Sequence, residues 1–441
     1  RRLGLGGGDR VAAFLPICVE AVVAMLAATS LGASWSSSSP DFGAAGAHDR
    51  FAQISPRLLL TVDGYRYAGK AIDVRPVVAE LADKLPGLDA VVMIPYLAGL
   101  SDAAAGSVTI PRAISWQALT ADDAPLEFAA TPFDHPLYIL YSSGTTGAPK
   151  CIVHGAGGTL LQHLKEHLLH TDLRRSDRLF YFTTCGWMMW NWLVSGLASG
   201  ATLVLYDGSP SFPDAGALWR LAAEEGVTVF GTSARYLAGN AKAGLHPGRD
   251  FDLQRLRMVL STGSPLAPES FDYVYQRVKA DVHLASISGG TDIISCFLLG
   301  NPLLPVQRGE LQCAGLGMAV AIYDEHGQAL SEGRGELVCE RPFPSMPLGF
   351  WNDVDGRLYH PAYFGRFPGV WAHGDHVERT RSGGFIIHGG IEIDARAAKL
   401  GMFQRDNVAQ APQRGLRWIG AFAVSGRLRA ARCEIEPRRR G

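Results

Sequence analysis

Residues 138–150 read Tyr-Ile-Leu-Tyr-Ser-Ser-Gly-Thr-Thr-Gly-Ala-Pro-Lys, an apolar run followed by a hydroxyl-rich glycine loop that ends on a lysine. The run at 138–141 is short and β-prone, which predicts one buried strand. Hydroxyl groups and backbone amides in such a loop can donate hydrogen bonds to phosphate oxygens, and glycines let the backbone turn tightly. The loop residues before the lysine that carry these features are Ser142, Ser143, Gly144, Thr145, Thr146 and Gly147.

This loop differs from a Walker-type P-loop, which needs glycine directly before the lysine and Ser or Thr after it. Here Pro149 precedes Lys150 and Cys151 follows it. A different kind of phosphate loop is therefore predicted, with Lys150 as a point positive charge. Taken alone, the stretch is also compatible with an ordinary Ser/Thr/Gly turn.

The composition favours a soluble enzyme and excludes some partners. The chain has 441 residues, long enough for two or three domains or subdomains, and its 41 basic and 42 acidic residues give a formal net charge of −1. No global charge therefore attracts nucleic acid or an anionic membrane. The apolar stretch at 11–33 contains Pro16 and Glu20, which favours a buried helix over a membrane span. Seven cysteines without CxxC spacing argue against a disulfide framework and predict a reducing cytoplasm.

Short Val/Ile/Leu-rich runs alternate with Ala/Leu-rich helical stretches, which predicts an α/β fold with largely parallel sheets. Examples are a helix at 18–31, a strand at 202–206, a helix at 215–225 and a strand at 227–230. Residues 311–340 have a different pattern, which predicts antiparallel hairpins in a small barrel-like subdomain.

A helix is also predicted after residue 158, with three histidines at helical spacing: His163, His167 and His170. Such a row of imidazoles is compatible with a metal site. The neighbouring leucines at 160, 161, 164 and 168 favour another interpretation, in which the leucines are buried and the histidines lie on a solvated face. Cys151 has no visible His/Asn partners, so a nucleophilic role is not expected.

Four further motifs occur in order along the chain: Arg-Leu-Phe-Tyr-Phe-Thr-Thr-Cys-Gly-Trp-Met-Met-Trp-Asn-Trp-Leu-Val-Ser-Gly-Leu-Ala-Ser-Gly at 178–200, Ser-Gly-Gly-Thr-Asp at 288–292, Arg-Pro-Phe-Pro-Ser-Met-Pro at 341–347 and Phe-Pro-Gly-Val-Trp-Ala-His-Gly-Asp at 367–375. With the loop at 142–150, they resemble the acetoacetyl-CoA synthetase family of adenylate-forming acyl-CoA synthetases. The resemblance covers about residues 9–389, and several ordered motifs are more specific than one.

The resemblance implies the α/β large domain of the adenylate-forming fold, with two packed α/β sheets and a small β-barrel-like subdomain. That AMP-binding domain would span residues 1–390, N-terminally incomplete, with the β subdomain at about 305–390. Residues 391–441 lack clear apolar periodicity and become rich in arginine, so an aberrant, poorly ordered tail is expected in place of the family's small mobile C-terminal domain. The abrupt change after residue 389 favours a shifted reading frame or a damaged gene.

The resemblance also implies roles for single residues. The loop would hold the leaving phosphates of ATP, Thr291 would contact the α-phosphate, and Asp375 would bind both ribose hydroxyls. Asp292 stands where the superfamily usually has Glu and would hold Mg²⁺, although a helix-capping role is the alternative. The implied catalytic residues are Lys150, Thr291 and Asp292. The implied ATP or AMP contacts are Ser142, Ser143, Gly144, Thr145, Thr146, Gly147, Lys150, Gly263, Ser264, Pro265, Gly290, Thr291 and Asp375.

The same resemblance implies an acyl pocket. Gly289 stands where acetate-selective relatives carry a tryptophan, so a glycine there would open volume for a longer acid. Asn191 and a backbone amide near Gly289 are candidates for contact with a keto oxygen. For Trp190 and Trp192, simple core packing is the alternative. The implied pocket residues are Trp187, Met188, Met189, Thr262 and Gly289.

The function implied is ATP-dependent ligation of acetoacetate to CoA through acetoacetyl-AMP, with ATP, Mg²⁺ and CoA required, small-molecule partners only, and a cytoplasmic location. Two alternatives remain open. One is a catalytically impaired remnant that binds nucleotide and acid, because Gly390 replaces a motif arginine and no match to the family's small-domain lysine is found. The other is a ligase for acetate, propionate or butyrate.

Overall fold

The computed structural model describes residues 1–97, 108–122, 124–142, 149–390 and 418–420. Their strands alternate with helices in the first two thirds of the chain and run as antiparallel hairpins afterwards. The strands are β1 (Arg10–Phe14), β2 (Ser34–Ser38), β3 (Leu58–Val62), β4 (Gly64–Tyr67), β5 (Lys70–Asp73), β6 (Ala90–Ile94), β7 (Ala113–Ser115), β8 (Pro136–Ser142), β9 (Lys150–Gly155), β10 (Arg178–Tyr181), β11 (Thr202–Leu205), β12 (Val229–Ser233), β13 (Met258–Thr262), β14 (His283–Ser286), β15 (Ser288–Gly290), β16 (Ser295–Leu299), β17 (Cys313–Ala314), β18 (Val320–Tyr323), β19 (Gly333–Cys339), β20 (Gly349–Phe350), β21 (Trp371–Arg379), β22 (Phe385–Gly390) and β23 (Trp418–Gly420).

The helices are mostly short, and two of them continue into a π-helical turn. The α-helices are α1 (Val19–Ser30), α2 (Gly43–Ile54), α3 (Arg75–Lys84), α4 (Trp116–Leu119), α5 (Ala156–Lys165), α6 (Met189–Ser195), α7 (Ala217–Glu224), α8 (Ala234–Lys242), α9 (Pro247–Asp250), α10 (Pro268–Tyr273) and α11 (Tyr359–Phe364). The π turns Glu166–His170 and Val274–Val278 follow α5 and α10. Helices α1 and α7 confirm the helices predicted at 18–31 and 215–225.

The first sheet has eight strands in the order β20-β9-β8-β2-β1-β3-β6-β7. Pairing is parallel from β8 to β7, whereas β9 and β20 are antiparallel to their neighbours. Four of the five residues of β1 are buried, as expected for a parallel strand covered on both faces. The predicted strand at 138–141 is confirmed within β8, which ends at the start of the glycine loop.

The second sheet has the order β14-β13-β12-β10-β11-β23. The first five strands are parallel, and β23 adds an antiparallel edge. The core against this sheet is aromatic: the rings of Trp219 and Phe230 stack at 4.4 Å, and Phe180 lies 5.1 Å from Phe230. Strand β11 confirms the strand predicted at 202–206, and β12 begins two residues later than the predicted strand at 227–230.

The third part is antiparallel, as predicted for residues 311–340. Strands β18, β19, β21 and β22 form one sheet in that order, and β15, β16 and β17 form another. Between β18 and β19, the carboxylate of Asp324 accepts hydrogen bonds from the backbone N–H groups of His326 and Gln328 and so stabilises the turn. Helix α11 packs on β21, where Tyr363 stacks on Trp371 at 3.9 Å. The domain boundary at 390 stays a prediction, and nearly all of the predicted tail lies outside the described residues.

The helix at 156–170 is turned opposite to the prediction. His163 and His167 are fully buried, whereas Leu161 and Leu168 are exposed by 53% and 45%. The interpretation of the histidines as a solvated face is therefore wrong. The physical reason is that each imidazole finds a buried partner: Nε2 of His163 lies 2.6 Å from the carbonyl of Ile294. Polar side chains are buried at low cost when they are hydrogen-bonded.

Six cysteines lie in the described residues, and all are free thiols. Among the same residues, no helix is both long and apolar enough to cross a bilayer.

Candidate active site

A cleft opens where the parallel strands β13 and β14 end against the antiparallel part of the chain. Ligand sites in open α/β sheets lie at the carboxyl ends of strands. The cleft, called the main cleft below, contains about 480 Å³ of space, part of it open to solvent. It brings together the predicted residues Gly263, Ser264, Pro265 and Asp375, although Asp375 lies more than a hundred positions after the other three. The main cleft is lined by Thr262, Gly263, Ser264, Pro265, Ser286, Ile287, Ser288, Gly289, Leu311, Asp375 and Ile387.

A smaller recess of about 260 Å³ adjoins the main cleft and is called the side recess. The two share Thr262 and Gly289 as lining residues. All five residues predicted for the acyl pocket line the side recess. Its residues are Trp187, Met188, Met189, Thr262, Gly289, Gly290, Ser295 and Cys296.

Thr262 and Gly263 owe their positions to the ends of two strands. The hydroxyl of Thr262, the last residue of β13, donates a 2.9 Å hydrogen bond to the carbonyl of Ile287 and so joins β13 to the segment after β14. Gly263 has a φ of +90°, a conformation that a residue with a side chain rarely adopts. Its backbone faces Trp187, whose ring lies 3.7 Å from where a Cβ would stand. The turn therefore needs glycine at this position.

Asp375 reaches the main cleft from β21 and is 6% exposed. The neighbouring residue Gly374 has a φ of +91°, and its N–H donates a 2.8 Å hydrogen bond to Oε1 of Glu336. The other oxygen of Glu336 accepts a 2.6 Å hydrogen bond from Arg366. The pairing of β19 with β21 shifts register here, between Glu336 and Val338. Glu336 thus fixes the irregular backbone that carries Asp375.

Lys150 and Asp292 form an ion pair. Nζ of Lys150 lies 3.3 Å from Oδ1 of Asp292, a carboxylate that is 4% exposed. The hydroxyl of Tyr363 donates a hydrogen bond to the same oxygen. The ammonium group also lies 5.1 Å from the centre of the Tyr363 ring and 6.0 Å from that of Phe350, within the range of a cation–π contact. The prediction did not include Tyr363, whose signal in the sequence is only an aromatic residue in a short helix.

Thr291 is held by its backbone. Its carbonyl accepts a 3.0 Å hydrogen bond from Nε2 of His154 on β9, so the strand that begins with Lys150 also anchors the residue before Asp292. Burial lowers the pKa of His154 to about 3, which keeps the imidazole neutral at physiological pH. His154 was not predicted as a site residue.

The phosphate loop itself lies largely outside the described residues. Ser143, Gly144, Thr145, Thr146 and Gly147 fall in the undescribed segment 143–148, so their predicted roles stay predictions. The two flanks are described: Ser142 ends β8 and Lys150 begins β9, and these two residues pair across the antiparallel ladder.

Position 289 needs glycine for a structural reason that differs from the one the sequence suggests. A Cβ at this position would lie 1.9 Å from the carbonyl oxygen of Ser295 and 2.5 Å from Cα of Cys296. Glycine is therefore required by the close pairing of β15 with β16, in addition to any volume it leaves in the recess. Asn191 is fully buried but is not among the residues that line the side recess, so its contact with a keto oxygen stays a prediction.

A buried polar cluster lies directly behind the side recess. Both carboxylate oxygens of Glu166 accept hydrogen bonds, Oε2 from the indole N–H of Trp192 at 2.9 Å and Oε1 from the hydroxyl of Ser295. Trp190 and Trp192 are both buried and neither lines the side recess, which agrees with the core-packing alternative, although the indole N–H of Trp192 also bonds to Glu166. Glu166 was missed because it reads as part of a solvated face.

Among the described residues, no group of three or more His, Cys, Asp or Glu side chains is arranged to hold a metal ion. Asp292 nevertheless suits Mg²⁺ that arrives with a nucleotide. It offers a hard carboxylate oxygen beside a lysine that suits phosphates, and Mg²⁺ sites of this type combine one or two carboxylates with phosphate oxygens and water.

Comparison with known proteins identifies the group to which the chain is similar. Residues 1–351 match the family described as AMP-binding enzyme. The acetoacetyl-coenzyme A synthetase of Rhizobium meliloti (strain 1021) is 53% identical over 98% of this chain and 67% of its own length. The malonamoyl-CoA synthetase vrtB of Penicillium aethiopicum is 46% identical over 88% of this chain and 55% of its own length.

The solved structure of acetoacetyl-CoA synthetase from Streptomyces lividans superposes with a TM-score of 0.84 at 51% identity. It covers 88% of this chain, which in turn spans 60% of that protein. The adenylate-forming fold predicted from the sequence is confirmed by this match. The chain therefore belongs to the AMP-binding enzyme family, within the group that contains the acetoacetyl-CoA synthetases.

Proposed function

We propose that this chain activates acetoacetate with ATP to form acetoacetyl-AMP and pyrophosphate, as the first half of an acetoacetate–CoA ligase reaction. The observation that carries the proposal is that the main cleft and the side recess share a wall at Thr262 and Gly289. Adenylation requires an acid and a nucleotide side by side, so that a carboxylate oxygen attacks the α-phosphorus while the bond to pyrophosphate breaks. A nucleotide in the main cleft and an acid in the side recess would meet there.

The side recess supports a short acid. It is the smaller of the two openings, with about 260 Å³ of space against about 480 Å³ in the main cleft, both values including space open to solvent. The names of the relatives refine the class: acetoacetate and malonamate both carry a carbonyl group two carbons from the carboxylate carbon, and differ in a methyl against an amino group. We infer a short acid with a carbonyl group at the β position as the substrate class.

Each residue would have a separate task in the reaction. Asp375 would accept hydrogen bonds from the ribose hydroxyls, and Lys150 would neutralise charge on the phosphates as pyrophosphate leaves. Asp292 would hold Mg²⁺, which supplies charge neutralisation on the phosphates when bound. Thr291 would face the α-phosphate, with its backbone fixed by His154. In the second half-reaction, the thiol of CoA would attack the acyl carbon and AMP would leave. A cytoplasmic location goes with this proposal.

The test is acetoacetate-dependent exchange of labelled pyrophosphate into ATP by the purified chain, because exchange requires adenylation but not CoA. Malonamate, acetate and butyrate in place of acetoacetate report on the acid class, and Asp375→Ala is the variant expected to abolish exchange. We expect exchange with acetoacetate and malonamate above that with acetate. Absence of exchange with every acid, together with calorimetric binding of ATP, would instead support a nucleotide-binding protein without ligase activity.

A further inference from the structure

Glu166 is a buried carboxylate whose two oxygens bond to different parts of the molecule. It is 1% exposed and is the first residue of the π turn after α5. Oε1 accepts hydrogen bonds from the hydroxyl of Ser295, from the backbone N–H of Cys296 at 3.2 Å and from Nε2 of Gln162 at 3.3 Å. Oε2 accepts a hydrogen bond from the indole N–H of Trp192 at 2.9 Å. Four donors therefore converge on one side chain.

Two of these donor residues lie in the wall of the side recess. Ser295 and Cys296 are the first residues of β16, and both line the recess. Trp192 belongs to α6, and its backbone N–H donates a 3.2 Å hydrogen bond to the carbonyl of Met188, another lining residue. Glu166 thus connects the β16 part of the wall to the α6 part. It does not itself line the recess.

A buried charge in this position destabilises the fold unless hydrogen bonds and a nearby opposite charge compensate for the lost water. Burying a carboxylate carries a desolvation penalty of several kcal/mol, which only good geometry and full hydrogen bonding offset. A hydrophobic residue would fill the same space without that penalty. The neighbouring cation, Lys165, lies 3.8 Å from Oε1 and is itself largely buried, so the charge pair is withdrawn from water as a unit. Buried polar networks of this kind specify one arrangement of the groups that they join.

Two histidines near Glu166 join its helix to α6 without bonding to the residues that line the recess, whereas Gln162 on α5 also donates a 2.7 Å hydrogen bond to the hydroxyl of Ser295. Nδ1 of His163 lies 2.9 Å from the hydroxyl of Ser195, and Nε2 of His167 lies 3.0 Å from the carbonyl of Trp192. These contacts join α5 and its π turn to α6. Among Glu166 and the two histidines, only Glu166 also bonds to lining residues of β16. Its position therefore couples the wall to the buried helix pair.

We propose that Glu166 is a positioning residue that sets the acid selectivity of the side recess. By holding Ser295 and Cys296 at a fixed distance from α6, it keeps the recess at the width that a short β-carbonyl acid requires. This inference rests on the proposed function, since it names the residue behind the acid site. Glu166 makes no contact with the acid, so its substitution changes which acid is preferred while the nucleotide site in the main cleft stays intact.

The variant Glu166→Gln keeps the size of the side chain but leaves one oxygen, instead of two, to accept hydrogen bonds. In either orientation the amide N–H₂ faces a donor, either the indole of Trp192 or the backbone N–H of Cys296. Trp192→Phe removes the indole N–H donor on α6, together with part of the ring that contacts His167 and Tyr181, and serves as the second variant. The matched control is Glu225→Gln, because Glu225 is also buried, at 3% exposure, and bonds to Arg178 at 3.0 Å in the second sheet.

The experiment is calorimetric titration of the full chain with two non-hydrolysable acyl-sulfamoyl adenosines, one acetoacetyl and one acetyl, and with AMP. We expect the wild type and Glu225→Gln to prefer the acetoacetyl compound, and Glu166→Gln to reduce that preference by roughly tenfold because a buried donor is left unpaired. AMP affinity should stay within about twofold in all variants, since both changes lie away from the main cleft. Trp192→Phe should shift the preference in the same direction.

The outcomes separate this inference from the function on which it rests. An unchanged preference in Glu166→Gln and in Trp192→Phe, with tight binding of both analogues, would overturn the positioning role alone. A wild type that binds neither analogue more tightly than AMP would overturn the proposed function and this inference with it. If Glu166→Gln does not fold, the shift in Trp192→Phe decides. A general loss of stability, such as Glu225→Gln would show, does not change the ratio between the two analogues.

Discussion

Nζ of Lys150 lies 3.3 Å from Oδ1 of Asp292, so the first residue of β9 is paired with a carboxylate 142 positions later. In the proposed reaction the two groups would act separately, the ammonium on a phosphate and the carboxylate on Mg²⁺. In the structure, each neutralises the other in a partly buried site. Binding of a Mg²⁺–nucleotide complex would replace the Lys150–Asp292 pair by a Lys150–phosphate pair and an Asp292–Mg²⁺ pair. Both side chains would therefore have an opposite charge beside them before and after binding.

Replacing Lys150 by alanine should lower pyrophosphate exchange by about 100-fold or more, because it removes a positioned charge that stabilises the leaving phosphates. Exchange under saturating acetoacetate is the measurement. The control is Lys84→Ala, which breaks an exposed Lys84–Glu80 pair of 2.6 Å on α3 and should have no effect on exchange. Exchange within about twofold of wild type in Lys150→Ala would contradict the assignment.

Tyr363→Phe should raise the Mg²⁺ concentration needed for half-maximal exchange by roughly tenfold, because the hydroxyl that orients the Asp292 carboxylate is lost. The stacking of residue 363 on Trp371 is kept, so the melting temperature should change little. Calorimetry of ATP binding with and without Mg²⁺ gives a second readout that does not depend on turnover.

The matched control for that change is Tyr359→Phe on the same helix, whose hydroxyl donates to the carbonyl of Pro347 at 3.3 Å and not to a site residue. An equal Mg²⁺ requirement in both variants would contradict an orienting role for Tyr363.

Glu336→Ala should raise the KM for ATP by about tenfold while leaving the KM for acetoacetate unchanged, because small displacements of a positioning group have large effects. The reason is local: without Glu336, the N–H of Gly374 loses its hydrogen bond in the irregular turn next to Asp375. The control is Glu378→Ala in the same sheet, a half-buried partner of Arg334 and His388, each at 2.8 Å. A rise in both KM values, or in neither, would count against this role.

The stability of the protein should fall as the pH is lowered from about 6.5, the unperturbed pKa of histidine. Burial lowers the pKa of His154 and of His167 to about 3, so in this range the unfolded chain binds protons that the folded chain does not. Below the unfolded pKa each of these histidines contributes a loss of about 1.4 kcal/mol per pH unit, until the folded pKa is reached. Urea unfolding at pH 7, 6 and 5 measures the slope.

His167→Gln should reduce that slope by the contribution of one histidine, whatever its effect on stability at pH 7. The control is His326→Gln, a change of the same kind at a side chain that is 78% exposed. Identical slopes for the wild type and His167→Gln would show that the imidazole is not held neutral in the folded protein.

The sequence was sufficient for the features that depend on local pattern. The strand at 138–141 and helix α1 follow from apolar runs and helix propensity, and the family resemblance of short motifs implied part of the lining of the main cleft and the side recess, at 187–189, 262–265 and 289–290. The backbone conformation of a short motif depends mainly on its own residues, as the positive φ of Gly263 shows, and so it can be inferred from a few residues.

Features that depend on distant partners could not be predicted. Whether the polar or the apolar stripe of residues 156–170 is buried is decided by carbonyl groups elsewhere, such as that of Ile294, 131 positions from His163. An amphipathic pattern predicts that the helix has a polar and an apolar face. It does not predict which face is buried when the polar face can be fully hydrogen-bonded. Tyr363 was missed for the same reason, because its importance lies in one hydroxyl and in Asp292, 71 positions away.

The close approach of Gly289 to the carbonyl of Ser295 also has an evolutionary consequence. A substitution at position 289 alone would push β15 away from β16 before it could narrow the side recess, so such a mutant would lose its fold before it gained a new preference. A change of acid length in this lineage would then need a prior mutation in β16 that makes room. A saturation library at position 289 should yield glycine almost exclusively, while the same library in a background with a loosened β16 should admit larger residues.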